Sequence, residues 1–294
     1  MKPLIRKIHW NAHHNCNMKC QFCYLWRQND STVLTTEEAL YLLKQAADAN
    51  IEWFVFGGGD PLLRRDLAQL IIHAKQLGLR VDLQTNAILL TNEFLGEVHH
   101  CIDKIGLSLD GCDDITHDSV RDYPGHFQIV LAALERCEQL SIPVVIRTTV
   151  CKLNLGSLGS LGNLLDKYRS VVKWSIREFV PLGLGQQNRN TFYVSRKEFI
   201  TEVNRIRMEN VERVKTFPII PITADEMKNC YGLVSQNGSF YTHPPDGIYY
   251  SYGKFPQESL NVILSHLKYD FVLRKLRDNK ENHVHFLEKQ LCKH

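Results

Sequence analysis

Cys16, Cys20 and Cys23 place three thiols within the eight-residue run Cys16-Asn17-Met18-Lys19-Cys20-Gln21-Phe22-Cys23. Three thiolates can hold three irons of a [4Fe–4S] cube, whereas a complete protein shell takes four. One iron is then left open for something the protein binds, and an open metal position marks catalysis rather than structure. The competing chemistry for this spacing is zinc, whose structural sites take four ligands; His13 or His14 could supply the fourth. The chain has nine cysteines. The six outside the run (Cys101, Cys112, Cys137, Cys151, Cys230 and Cys292) lack metal-ligand spacing among themselves. They read as inert thiols, since free cysteine behaves as a small hydrophobe. The pairs His13-His14 and His99-His100 read as solvated or locally bonded side chains.

Other chemistry-bearing residues fall at the ends of apolar runs. Gly57-Gly58-Gly59-Asp60-Pro61 closes one run, Asn86 another, and Ser108 and Asp110 a third; Arg147 lies within a later one. The runs read as strands over 7–13, 52–56, 80–85, 104–110, 143–150 and 172–179. Helical patterns lie between them: from Thr35 or Thr36 to about 49, then 65–77, 91–100, 127–140 and 158–168. Thr35 and Glu38 have the spacing of a capping box, and Gly78 stops the second helix. Strand–helix alternation predicts parallel strands with crossover helices. Six steps are too few for an eight-stranded barrel, so the expected fold is α/β, a partial (β/α)6 barrel. In such barrels the chemistry sits at the C-terminal strand ends, where the glycines, Asn86, Ser108 and Asp110 fall and where the cysteine loop follows the first strand.

The rhythm changes after residue 179. Residues 1–185 are expected to form the barrel core, and residues 186–294 a small α+β extension capping it. The extension reads as a helix over 195–211, a β-hairpin (239–242 and 248–250 around Pro244-Pro245-Asp246-Gly247) and charged helices. Apolar residues make up 44% of the chain, enough for a substantial core. Basic and acidic residues nearly balance, 35 against 32, which disfavours a nucleic-acid polymer or a membrane surface as partner. No apolar run is long enough to cross a bilayer, and the first six residues carry no signal-peptide pattern. A reducing cytoplasm is the expected compartment, and with it free thiols.

The Cys16-x3-Cys20-x2-Cys23 loop, with aromatic Phe22 before its last cysteine, resembles the cluster motif of radical S-adenosylmethionine (SAM) enzymes. The glycines, Asn86 and Ser108-Leu109-Asp110 fit the same superfamily over roughly residues 5 to 180. The resemblance implies one [4Fe–4S] cluster ligated by Cys16, Cys20 and Cys23, with SAM chelating the fourth iron through its amine and carboxylate. It implies that Phe22 packs near the adenine. The turn Gly57, Gly58, Gly59, Asp60 resembles the Gly-Gly-Glu-Pro turn that receives the methionine amine, with Asp60 where glutamate is usual. Asn86 belongs to the same rim. Ser108 and Asp110 would face the ribose or the carboxylate, and Arg147 the SAM carboxylate. An external flavodoxin- or ferredoxin-type donor would reduce the cluster. SAM would then be cleaved to methionine and a 5′-deoxyadenosyl radical that takes a hydrogen atom from the substrate.

Cys230-Tyr231-Gly232 resembles the start of the cysteine-rich SPASM/twitch tail of many peptide-modifying members. Only Cys292 follows, and two cysteines cannot build a four-thiolate site, so a cluster-free remnant is expected. Tyr231, Phe240, Tyr241, Tyr249, Tyr250 and Tyr252 form either a small core or a wall against substrate. The expected function is one radical-initiated change in a small molecule or peptide. Modification of a ribosomal peptide competes with action on a nucleoside, nucleotide or sugar, including the viperin-like nucleotide-modifying branch. A non-catalytic SAM-binding or iron-binding protein is the rival of another class.

Overall fold

The computed structural model describes residues 5–23, 32–211, 217–227, 232–241 and 251–266. Buried parallel strands are continuous apolar runs, and the runs read above fold as strands. In chain order the described elements begin with β1 (Lys7–His13), α1 (Thr36–Asp48), β2 (Trp53–Gly58), α2 (Leu67–Gln76), β3 (Arg80–Thr85) and α3 (Asn92–Val98). Next come β4 (Lys104–Ser108), α4 (Asp114–Arg121), α5 (His126–Gln139), β5 (Val144–Val150), α6 (Leu158–Leu165) and β6 (Val171–Glu178). After the short α7 (Leu184–Gln187) and α8 (Arg189–Phe192) follow α9 (Arg196–Val211), β7 (Ile219–Ile222), α10 (Ala224–Met227), β8 (Gly232–Val234), β9 (Ser239–Tyr241), β10 (Ser251–Lys254) and α11 (Leu260–His266).

Two compact units share these elements. Among the described residues, 5–17, 32–105, 227, 232–241 and 251–266 make the first, and 18–23, 106–211 and 217–226 make the second. In the first, the strand order is β10-β9-β8-β1-β2-β3. β1 pairs parallel with β2, and β2 with β3. Trp10, Phe54 and Phe56 have no solvent exposure. Their rings meet at 6.2 and 6.1 Å between Trp10 and the two phenylalanines. Full burial of each such side chain contributes about 2–3 kcal/mol. At the N-terminal ends of these strands Trp53 is covered by Lys104 at 3.7 Å and Arg80 at 4.0 Å. Around that ring Lys104 pairs with Asp82 at 3.8 Å and Arg80 with Asp103 at 3.9 Å.

The second unit carries β5, β6 and β7, paired parallel in that order. A buried hydrogen-bond relay fixes their register to the end of β4: Trp174 Nε1 donates to Thr148 Oγ1 at 2.8 Å, and that hydroxyl donates to the Leu109 carbonyl at 2.6 Å. Leu109 is thereby held, and Asp110 with it.

The observed elements differ from the expected ones in several places, and α7, α8 and α10 have no counterpart in the sequence reading. The sequence reading assigns no element between residues 110 and 127, where α4 forms; Asp113 caps it by accepting from Thr116 N at 2.7 Å. β7 contains Pro221, which cannot donate to a ladder and so sits in a terminal strand of the order. β8 is too short to show a period, yet pairs parallel with β1. β9 pairs antiparallel with β10, and the expected hairpin partner 248–250 lies outside the described residues. So do Cys230, Tyr231 and Cys292.

Thr148→Val should cost about 2 kcal/mol, because it leaves the buried Trp174 N–H and Leu109 carbonyl without partners. Urea unfolding of the two proteins measures the difference, and no loss of stability would contradict the relay.

Candidate active site

In the first unit, the ends of β2 and β3 carry one group of candidate residues. Asp60 is almost wholly buried, and three donors converge on its carboxylate. Oδ2 accepts from Thr85 Oγ1 and from Asn86 N, each at 2.8 Å, and Oδ1 accepts from Leu62 N at 3.0 Å. Burial pushes this carboxyl up, and the three donors oppose that push. Asp60 therefore ties the end of β2 to the end of β3 and spends its oxygens on the protein. The tie aims Asn86. Its Nδ2 donates to Asn17 Oδ1 at 2.6 Å and to Cys16 Sγ at 3.5 Å, while its Oδ1 accepts from Ile88 N at 3.0 Å.

The glycine turn lays down the start of the cysteine loop. Gly59 N donates to the His13 carbonyl and Asp60 N to the Asn15 carbonyl, both at 2.9 Å. A Cβ on Gly59 would overlap the Asn15 carbonyl and crowd Cys16 N. Gly58 has φ +122°, a conformation that favours glycine, and Gly57 faces the His9 ring, which a Cβ would meet at 2.5 Å.

The second unit holds Cys20 and Cys23. Gln21 Nε2 donates to Asp122 Oδ2 at 3.2 Å, Asn188 Nδ2 donates to the Gln21 carbonyl at 3.1 Å, and Leu184 N donates to the Cys23 carbonyl at 3.1 Å. Asp110 is fully buried beneath this segment. Its Oδ2 accepts from Arg121 Nε at 2.5 Å, its Oδ1 accepts from Thr149 N at 2.7 Å, and its own carbonyl accepts from Asn154 Nδ2 at 2.8 Å. Burial pushes the Asp110 carboxyl up, against the pull of Arg121 and Thr149. Burial also works against the Arg121 charge, but Asp110 and Cys20 more than offset it. The Arg121 guanidinium also lies over the Phe22 ring at 5.0 Å. Burial pushes the Cys20 thiol up, and the Arg121 charge pulls it down. Arg121 lies in α4, and the sequence reading missed it.

Phe22 is packed against a core of Val120, Cys151, Phe179 and Phe192. Ser108 is half-buried at the end of β4. Arg147 reaches across Gly106, where a Cβ would overlap its guanidinium; glycine in β4 makes that path available. Behind Asp110 lies a histidine pair. Asp110 N donates to His117 Nδ1 at 3.0 Å, so His117 Nε2 carries the proton and faces His126 Nδ1 at 2.7 Å.

The seven described cysteines are free thiols. Burial pushes Cys137 and Cys151 up to about 12, which makes them inert. His13 accepts from Asn15 N, and His99 donates to the Leu95 carbonyl, both local bonds. Among the described residues no three Cys, His, Asp or Glu side chains are grouped to hold a single metal ion. A cube differs from such a site because each thiolate binds a separate iron. The Asn86 donor on Cys16 suits a thiolate rather than a neutral thiol, so the residues fit a cluster. No helix among the described residues is long and apolar enough to cross a membrane.

A family model described as the radical SAM superfamily matches residues 10–158. An AdoMet-dependent heme synthase of Methanosarcina barkeri is 32% identical over 188 residues, 62% of this chain and 53% of that protein. An S-adenosylmethionine-dependent nucleotide dehydratase of Flammeovirga pacifica is 26% identical over 263 residues, 84% of this chain and 86% of that protein. The chain spans about half the length of the heme synthases it matches. Streptococcus suis SuiB, solved with bound S-adenosylmethionine, shares the fold with a TM-score of 0.74 at 15% identity, over 92% of this chain and 67% of its own.

Gly59→Ala should lower iron incorporation at least severalfold by displacing the loop at Asn15 and Cys16, and iron content after reconstitution measures it. The histidine pair carries a pH signature. Burial, then the Arg121 charge and His126, push His117 from its ordinary 6.5 down to about 2. Folded His117 stays neutral where an unfolded one protonates, so the unfolded chain binds more protons below about 6.5. This contribution to stability is complete above that pH and is lost progressively as the pH falls toward about 2. His117→Gln should therefore flatten the fall in Tm between neutral and mildly acidic pH. Parallel Tm-against-pH curves for the two proteins would refute it.

Proposed function

Because the chain belongs to the radical SAM superfamily, we propose that it is an enzyme that binds one [4Fe–4S] cluster through Cys16, Cys20 and Cys23 and cleaves SAM there. The cluster with SAM supplies one-electron cleavage of the sulfonium and, through it, hydrogen-atom abstraction from an unactivated carbon. The chain's own residues hold and orient. Asn86 donates to the Cys16 sulfur. Asp60 fixes Asn86 from behind, and Gly59 admits the loop. Arg147, Ser108 and the backbone of the glycine turn are the groups proposed to meet SAM. Asp60 and Asp110 contribute to that surface by fixing the strand ends, since their carboxylates already accept from protein donors. The electron comes from an external low-potential donor of flavodoxin or ferredoxin type.

For the substrate, the reading we favour is a nucleotide, with loss of water. One observation carries it: the match to the nucleotide dehydratase of Flammeovirga pacifica runs through 84% of this chain and 86% of that protein, so it includes the region after residue 185. The heme synthase matches take in only about half of those proteins. A cluster-free tail agrees with two isolated cysteines, Cys230 and Cys292.

Anaerobically reconstituted protein should hold about four irons, as one cube requires, and each of Cys16→Ala, Cys20→Ala and Cys23→Ala should lose both cluster and SAM cleavage. With dithionite, SAM and a panel of nucleoside triphosphates, 5′-deoxyadenosine should rise at least tenfold with one nucleotide. Its product should be lighter by one water. Stimulation by a peptide alone would replace the nucleotide reading, and wild-type turnover by any of the three alanine variants would overturn the ligand assignment.

A further inference from the structure

In the second unit β6 divides its residues between two faces. Trp174, Ile176 and Glu178 share one of them: Trp174 donates to Thr148, and Glu178 accepts from Arg196 of α9 and from Ala224 N of α10. Side chains alternate along a strand, so Lys173, Ser175 and Arg177 stand on the opposite face. The register places Lys173 beside Val145, Ser175 beside Arg147 and Arg177 beside Thr149. On the other side, β7 sets Ile220 beside Ser175 and Ile222 beside Arg177. None of the residues that β5, β6 and β7 place on this face is acidic. Lys173 and Arg177 are half-buried. Ser175 between them is 1% exposed, and its hydroxyl has no hydrogen-bond partner among the described residues.

A buried hydroxyl without a partner calls for an explanation, because nearly all such groups in folded proteins are bonded. Here it stands between two cations, on the strand next to the one that carries Arg147. Cations gathered on one face raise the local concentration of anions. A guanidinium binds phosphate oxygens in pairs, an ammonium binds them as a point charge, and a serine hydroxyl donates to one more. Along a strand the Cα atoms of Lys173 and Arg177 are about 13 Å apart, a length that suits linked phosphates better than a single one. We propose that Lys173, Ser175 and Arg177 form a subsite for the polyphosphate chain of the substrate, beside the Arg147 assigned to SAM. This names the part of the nucleotide that the protein grips, and so rests on the nucleotide reading given under Proposed function. Arg177 is the specificity-determining residue, because its planar fork distinguishes a phosphate chain from an unphosphorylated nucleoside. Binding there is non-covalent and makes or breaks no bond.

Isothermal titration of the reconstituted protein with inorganic tripolyphosphate reads the subsite directly. Arg177→Gln and Lys173→Gln should each weaken binding about tenfold, as loss of a hydrogen bond to a charged group does, and Ser175→Ala about threefold. Arg177→Lys, which keeps the charge and loses the planar fork, should fall between Arg177→Gln and wild type. SAM affinity should stay as in wild type in Arg177→Gln, which separates loss of this subsite from a general disturbance of the unit. Arg205→Gln removes a cation from the exposed side of α9 and should leave tripolyphosphate binding unchanged. Citrate, a polycarboxylate, should bind more weakly than tripolyphosphate. If Arg177→Gln fails to fold, Lys173→Gln and Ser175→Ala decide. No binding to wild type, unchanged binding in the subsite variants, equal loss in Arg205→Gln, or citrate binding as tightly as tripolyphosphate overturns the proposal. If tripolyphosphate binds with the expected pattern while no nucleotide raises 5′-deoxyadenosine, the subsite stands and the nucleotide reading alone falls.

Discussion

A carboxylate taken out of water must find donors for its lone pairs or give up its charge. Asp60 in the first unit and Asp110 in the second are two such carboxylates. Asp60 collects a hydroxyl and two backbone N–H groups at the ends of β2 and β3. Asp110 collects a guanidinium and a backbone N–H beyond β4. Each carboxylate turns strand ends, which would otherwise fray, into fixed platforms. Each platform then carries a group that reaches the cysteine loop: Asn86 donates to Cys16, and Arg121 lies over Phe22. The loop itself has little secondary structure of its own, so its shape is borrowed from these donors, from the glycines beneath it and from the 184–188 turn.

The same logic explains why the glycines are where they are. Gly59 is needed because backbone from the cysteine loop occupies the space of its missing side chain, and Gly106 because an arginine crosses it. These are steric demands from neighbours rather than from turns. They place backbone amides and an arginine at positions that side chains of ordinary size would block.

Much of the strand–helix rhythm was legible because fully buried strands carry runs such as Trp53-Phe54-Val55-Phe56, and helix starts carry their caps. The Thr35–Glu38 capping box forms as spaced, and Thr91 caps α3. The cysteine motif was legible because its chemistry is written locally. Arg121 was not. The Phe22 ring beneath it lies far away in sequence, and its helix is polar enough to pass for a loop. The roles of Asp60 and Asp110 depend on which donors the fold delivers to them, and composition alone does not encode that. Short strands such as β8 owe their existence to a partner edge rather than to their own residues.

That last point has a consequence for synthesis on the ribosome. β1 lies between β2, which follows it closely, and β8, which pairs Ile8, His9 and Trp10 with Gly232, Leu233 and Val234. Until those late residues leave the exit tunnel, one edge of the first strand stays bare, with Trp10 beside it. Closure of so distant a pairing is entropically slow, and a bare strand edge invites pairing with another chain. The nascent protein therefore passes through a long interval in which its earliest strand needs protection from aggregation.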